Sequence, residues 1–445
     1  MFAGQFSRLT GSLTVVAPID HPNFQSTVRL SQADDGLFDR LKESGLQGLK
    51  GQAVDGAATI ERTQANAAAT LGTLETPCLI LDADRMERNI DRLRSRLEPF
   101  GVSLRPHLKT AKSIHVARRV MTSPTGPATV STLKEAAQFA AAGVRDIFYA
   151  VGIAPSKLAR VVELRADGVD LAIVVDSVEQ AEAVATASRN AGKAIPALIE
   201  IDCDGHRSGV LPGDAARLIE IGRALERGAE LRGVLTHAGG SYTARGVDAL
   251  RQCAEVERRS VVEAAATLRA AGLSCAVVSV GSTPTAHHAA DLSGITEVRA
   301  GVFVFFDLVM AGIGICRIED IALSVLATVI GHQREKGWIL IDAGWMAMSQ
   351  DRGTSKQVVN QGYGVVCDIA GNAYPDLMVA DANQEHGIVT VRPDSGGVLP
   401  DLKIGDRVRI LPNHACSTSA QHPSYHVVHG ASDLVEAEWP RFGGW

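Results

Sequence analysis

Between residues 103 and 305, eight short β-rich runs alternate with alanine-rich helical stretches, and few architectures accommodate that alternation. The runs are SLRPHL (103–108), ATVSTL (128–133), DIFYAV (146–151), LAIVVD (171–176), ALIEID (197–202), LRGVLTHAG (231–239), AVVSVGST (276–283) and EVRAGVFVF (297–305). Segments such as KEAAQFAAAG (134–143) and SVEQAEAVATASRNAG (177–192) have the length of a crossover helix. Strand and helix in eightfold alternation indicate an α/β chain built as a (β/α)8 TIM-type barrel, with a doubly wound open sheet as the weaker alternative. A barrel makes one demand: functional residues must follow the C-terminal ends of its strands.

Either side of this region the pattern changes. TPCLILDADRMERNIDRLRSRL predicts a strand at Cys78 to Leu81, then a helix capped by Asp82 or Asp84 with Met86, Ile90 and Leu93 on one face. Residues 1–72 read as an N-terminal extension of unknown role, with a possible amphipathic helix near Leu37 to Leu49 and a second at Ala65 to Ala69. Beyond residue 320, the segments IALSVLATVIGH, GWILIDAG, GIVTVRP and DRVRILPNHAC are β-rich and separated by turn residues, which predicts a mostly antiparallel second domain. The expected division is 1–72, a barrel over 73–320 and a β domain over 321–445.

Composition excludes several classes of partner. A net charge of -6 argues against nucleic acid, and no apolar run approaches the roughly 20 residues of a membrane span. Seven cysteines without CxxC spacing suggest reduced thiols in a cytoplasmic protein rather than a disulfide framework.

Three stretches carry candidate chemistry. In LRPHLKTAKS, Lys109 follows a short apolar run and lies near Arg105 and Lys112 with no acid in the segment to pair them. Crowded cations and partial desolvation lower an ammonium pKa and make a lysine nucleophilic; the alternative is a basic phosphate-binding loop. GSTPT follows the seventh run, where barrels commonly hold phosphate: Gly281 allows close approach, and Ser282 and Thr283 add hydroxyl donors. In PNHACSTSAQHPSYHVV, His414 and Cys416 stand at i and i+2. On an extended strand they share a face and could bind one borderline cation such as Zn²⁺, with positions left open as a catalytic metal requires.

The segments RPHLKTAKS, DGHRSG, THAGGSY, VGSTPT and the closing HAC resemble the fold-type III pyridoxal phosphate (PLP) enzymes of the D-serine dehydratase and D-threonine aldolase family, over residues 74–445. The resemblance implies an alanine-racemase-like barrel plus a β domain, a Schiff-base lysine at Lys109, and PLP beside a divalent metal, zinc first, with manganese or cobalt as alternatives. It makes Arg207 the arginine facing the pyridine nitrogen and Tyr242 a cofactor contact. Gly281, Ser282 and Thr283 become the phosphate site, and His414 with Cys416 the metal pair. The aldolase branch carries H-x-D where this chain has H-x-C, so the resemblance favours a dehydratase. The implied substrate is a small D-3-hydroxy amino acid. Lys109 takes the α-proton, the metal carries off the β-hydroxyl, and a 2-oxo acid and ammonia leave; 3-hydroxyaspartate would give oxaloacetate and D-serine pyruvate. Retro-aldol cleavage to glycine and an aldehyde is the competing reaction. A racemase-like PLP carrier is disfavoured by the β domain and HAC. The expected assembly is a homodimer.

Overall fold

The structure, a computed structural model, describes residues 69–445 and, in the segment before them, four short strands. These are β1 (Leu13–Thr14), β2 (Val28–Ser31), β3 (Leu49–Val54) and β4 (Ala57–Arg62), in one antiparallel sheet of order β1-β2-β4-β3. This N-terminal unit, Met1–Ala69, is separate from the unit Thr70–Trp445. The helices expected near Leu37 to Leu49 and Ala65 to Ala69 lie outside the described residues, save that Leu49 opens β3.

In the second unit all eight expected runs become parallel strands: β6 (Ser103–Pro106), β7 (Ala128–Val130), β8 (Asp146–Gly152), β9 (Asp170–Val175), β10 (Pro196–Ile201), β11 (Glu230–Thr236), β12 (Val277–Val280) and β13 (Glu297–Ala300), preceded by β5 (Cys78–Asp82). The sheet runs β6-β13-β12-β11-β10-β9-β8-β7, and a parallel bridge between His107 and Thr129 joins its two ends. That bridge closes the sheet into a barrel, so the open-sheet alternative falls away. Crossover helices bury one face as their spacing predicts. In Ala83–Leu97, Met86, Ile90, Leu93 and Leu97 face the core, and the Asp82 carboxylate caps the first turn by accepting from Arg85 N at 3.1 Å.

The barrel lumen is threaded by polar groups. Arg105 Nη1 meets Asp146 at 2.7 Å and its Nε meets Glu297 at 2.7 Å; Ser279 Oγ donates to Glu297 Oε1 at 2.7 Å and accepts from Arg299 Nη1. Lys112 meets Glu135 at 3.1 Å. The two cations expected to crowd Lys109 without partners are therefore both paired. Their acids come from other strands and helices, which local sequence does not show.

The second sheet combines β14 (Leu323–Gln333), β15 (Trp338–Ile341), β16 (Gly364–Cys367), β17 (Ala373–Ala382), β18 (Gly387–Val391), β19 (Arg407–Pro412), β20 (Ser424–Val428) and β21 (Ala437–Pro440), in the order β15-β18-β17-β16-β19-β14-β5-β20-β21. An additional β14–β15 pairing closes six of these strands into a ring. All pairs are antiparallel except β5–β20. The strand β5, which the 73–320 division gave to the barrel, belongs to this sheet. Its five residues are all buried, and it offers its edges to β14 and β20 rather than to β6.

Removing one partner from a largely buried ion pair leaves an uncompensated charge, at a cost of about 3–5 kcal/mol. Arg105→Met should accordingly lower the melting temperature by several degrees, because Glu297 is 10% exposed and keeps only Ser279. A melting curve superimposable on wild type would show that the lumen network carries no stability.

Candidate active site

A cavity of about 450 Å³ opens at the C-terminal ends of the barrel strands, and Lys109, Arg207, Tyr242, Gly281, Ser282, Thr283, His414 and Cys416 all line it. The structure thus brings every residue singled out in the sequence to one place. Its size is that of a small-ligand site.

Lys109 lies in the turn after β6, held there because Leu108 N donates to Thr129 O (2.8 Å) and Lys112 N to Leu108 O (2.8 Å). Two imidazoles flank it that sequence reasoning passed over, His107 and His237, although both lie in segments it quoted. Burial and then the Lys109 charge push both below the usual histidine range, His237 to about 3. His237 Nδ1–H donates to Gly281 O, which leaves Nε2 as an acceptor.

The loops after β11 and β12 are tied together by one buried carboxylate. Glu257 Oε1 accepts from Ala238 N at 3.1 Å and from Gly281 N at 3.0 Å. Gly281 serves a close approach, but one between strands: a Cβ there would stand 2.2 Å from Arg299 O. Ser282 caps the helix Thr283–His288 by accepting from Thr285 N at 3.2 Å, and it shares a hydrogen bond with Ser241 Oγ at 3.0 Å. Thr283 Oγ1 is buried with no partner among the described residues. A cup of small residues one hydrogen bond short suits an oxyanion such as the phosphate of PLP.

Two arginines reach the cavity, and their settings differ. Arg207 is 58% exposed and stands 3.6 Å from Glu200, whereas Arg299 is buried at the wall, donating to Ser279 Oγ and, at 2.5 Å, to Thr236 O. Arg207, expected at the pyridine nitrogen, is thus the exposed one of the two, while Arg299, unremarked in the eighth run, is the buried one.

His414 and Cys416 do not share a strand face. β19 ends at Pro412, His414 has extended backbone, and Cys416 lies in the first turn of the helix Ala415–Ser419. The helix starts there because Asp307, fully buried, accepts from Ala415 N at 3.0 Å while capping Leu308–Gly312 through Met310 N at 2.9 Å. The turn still brings imidazole and thiol together. Burial alone would raise the Cys416 thiol; the His414 charge and hydrogen bond, Lys109 and the Thr110 hydroxyl at 3.2 Å bring it below its ordinary value. Burial opposes protonation of His414, yet the thiolate and Asp351 raise it to about 11. Asp351, another residue absent from the sequence reading, accepts from His414 Nδ1 at 2.6 Å and from Ser417 Oγ at 3.1 Å. Among the described residues no group of three or more His, Cys, Asp and Glu side chains forms a full metal cage. The pair is a soft and a borderline donor with the imidazole oriented by a carboxylate, a donor set that fits a divalent metal completing its shell with water or substrate.

Comparisons with known proteins agree with this geometry. Residues 81–309 match the alanine racemase N-terminal domain, and residues 322–428 match the serine dehydratase domain. D-threo-3-hydroxyaspartate dehydratase of Delftia sp. (strain HT23) is 54% identical over 84% of this chain and 99% of its own length. The chain belongs to this dehydratase family, on the fold-type III barrel of alanine racemase. A solved structure of the Delftia enzyme superimposes with a TM-score of 0.81 at 54% identity, covering 84% of this chain and 100% of that one. A D-serine dehydratase of Dictyostelium discoideum is 28% identical over 83% of this chain and 97% of its own length. A 3-hydroxy-D-aspartate aldolase of Paracoccus denitrificans is 28% identical over 82% of this chain and 91% of its own.

Every other cysteine for which burial shifts the thiol is raised, so in chelator-treated protein Cys416 should be the first thiol alkylated near neutral pH. Asp351→Asn removes the negative charge that helps keep His414 protonated while leaving an acceptor oxygen; the thiol pKa then rises and alkylation of Cys416 should slow at least about threefold. Peptide mapping after timed alkylation reads this directly, and an unchanged rate would remove Asp351 from the arrangement.

Proposed function

We propose that this chain is a PLP- and metal-dependent dehydratase, an ammonia-lyase that converts D-threo-3-hydroxyaspartate to oxaloacetate and ammonia, with D-serine to pyruvate as a lesser activity. One observation carries the reading: a single cavity joins a lysine, a hydroxyl-lined cup and a histidine–thiolate pair. The similarity to the Delftia dehydratase supports the substrate.

Bound at Lys109, PLP supplies an electron sink that acidifies the substrate's α-C–H. Lys109 provides the amine that receives the α-proton, at a position that the turn after β6 fixes. Gly281, Ser282 and Thr283 hold the phosphate end, with Thr283 Oγ1 gaining its missing partner. Arg299 stands at the ring-nitrogen end, where the lumen network keeps it a cation; Arg207, at the open side, keeps its guanidinium available to a carboxylate. His237 and Tyr242, with ring centroids 6.1 Å apart, confine the ligand from one side. A metal on His414 and Cys416 supplies the Lewis acidity that eases departure of the β-hydroxyl. Asp351 holds the His414 ring through Nδ1, which would leave Nε2 as the nitrogen to take a metal. The solved relatives include a cysteine-to-alanine mutant of the dehydratase in the metal-free form and a histidine-to-alanine mutant, and the two mutated positions lie two residues apart, as His414 and Cys416 do.

The working division is barrel 73–320 for the cofactor and β domain 321–445 for the metal, with β5 as the exception. A homodimer is part of the proposal: Val358 and Val359, 81% and 46% exposed, follow Asp351 and Gly353 of the cavity lining in the chain as an apolar pair that a second copy would cover. A cytoplasmic location is supported by the free cysteines. No helix among the described residues is long and apolar enough to cross a membrane.

Products separate this reading from aldol cleavage. D-threo-3-hydroxyaspartate should yield equal amounts of ammonia and oxaloacetate; glycine and glyoxylate in their place would assign the chain to the aldolases. Cys416→Asp should lose dehydration at least tenfold, about 1.4 kcal/mol at the transition state, while keeping the cofactor. Lys109→Ala should lose both the visible absorbance of the bound cofactor and turnover. Exhaustive chelation should instead abolish turnover and spare that absorbance, and full activity in metal-free enzyme would sink the role given to His414 and Cys416.

A further inference from the structure

The helix Thr283–His288 has two ends, and only its start belongs to the active site. Its other end lines a second cavity, of about 360 Å³, together with Arg92, Ser95 and Arg96 of the helix Ala83–Leu97. Arg92 and Arg96 stand one turn apart, so two like charges share a helix face, an arrangement that local energetics disfavours. Arg92 is engaged: it pairs with Asp320 at 3.2 Å and donates to Ile315 O. Arg96 donates one Nη2 hydrogen bond to Ala289 O at 2.7 Å, lies over the Phe100 ring at 5.7 Å and has no acidic partner among the described residues, which leaves its remaining N–H donors for a ligand.

A buried atom points to what that ligand carries. His287 Nδ1–H donates to Thr283 O at 2.9 Å, so the remaining edge of the ring is Nε2, an acceptor in the neutral imidazole. Nε2 is buried and has no partner among the described residues. Burial, followed by the nearby Arg92, His288 and Arg96 charges, holds this ring well below the usual histidine range, at about 4. A group meeting Nε2 must therefore donate a proton, while a group meeting Arg96 must be an anion. Phe306, buried behind the site, backs both side chains, with the His287 ring 5.6 Å from its centroid and the Arg92 guanidinium 5.4 Å away.

We propose that this cavity binds a small oxyanion that also bears a hydroxyl proton: hydrogen phosphate, a phosphate monoester or a hydroxycarboxylate. The anion lies against Arg96 and Arg92, and its O–H donates to His287 Nε2. The site is one hydrogen bond from Thr283 and hence adjoins the cup from behind without entering it.

Titration calorimetry of the PLP- and metal-loaded enzyme tests this, because the loaded cofactor fills the cup. Inorganic phosphate is compared with sulfate, which matches it in shape but has no proton, and malate with succinate, which lacks the hydroxyl. The hydroxyl-bearing member of at least one pair should bind about tenfold more tightly, the size of one hydrogen bond to a charged group; the pair that shows the preference identifies phosphate or hydroxycarboxylate as the occupant. Arg96→Gln, at an exposed position, should weaken that ligand about tenfold and leave turnover unchanged, and His287→Leu should abolish the preference. Equal binding within both pairs, or a preference that survives Arg96→Gln, overturns the proposal, and the Arg96 variant decides even where the His287 variant fails to fold.

Discussion

The Asp307 carboxylate holds the active site together. One oxygen takes Met310 N–H just past the eighth barrel strand and the other takes Ala415 N–H at the start of the short helix in the β domain. A buried carboxylate that satisfies two backbone donors in short helices of different domains fixes their spacing more tightly than apolar contact could, because each lost bond would strand a polar group without water. Cys416 then falls within 3.2 Å of the Thr110 hydroxyl, one residue from Lys109. The Lys109 side and the His414–Cys416 side of the cavity are brought into register by that spacing.

A second polar thread runs through the barrel. Asp146, Arg105, Glu297, Ser279 and Arg299 form a chain of hydrogen bonds and ion pairs from the start of the third barrel strand to the wall of the cavity. In many barrels branched apolar residues fill this space. Here an arginine is needed at the top of the lumen, and alternating charge beneath it keeps that arginine ionised despite burial. Support for the Arg299 side of the cavity thus begins far from the cavity itself.

The architecture was legible in the sequence because short β-rich runs, most of them largely apolar, alternate with alanine-rich helical stretches eight times over. The eight runs became the eight strands, and each residue picked for chemistry reached the cavity. What stayed hidden was non-local. Nothing near His414 signals that its chain turns into a helix at Ala415, since the cause is Asp307 in another domain. Asp351 sits in a loop of Gly, Ser and Asp with no periodicity to mark it. Arg299 lies inside the eighth run, where nothing in the local sequence signals its burial, whereas Arg207 stands in a loop motif that draws attention to itself. The crowding argument for Lys109 failed for the same reason: Asp146, Glu297 and Glu135, which pair its neighbours, are distant in sequence.

The placement of β5 governs how the chain can be assembled on a ribosome. Leu79 aligns with Val325, and Ile80 aligns with His426. The strand is therefore synthesised before the whole barrel, while both of its neighbours emerge after it. A strand whose five residues are all buried in the finished fold must wait, unpaired, through the synthesis of more than half the protein. Its hydrogen-bonding edges stay open to any competing strand in that interval, which makes the nascent chain dependent on shielding that the finished molecule no longer needs. The two sheets cannot be made as successive independent units, because the second is begun before the first and finished after it.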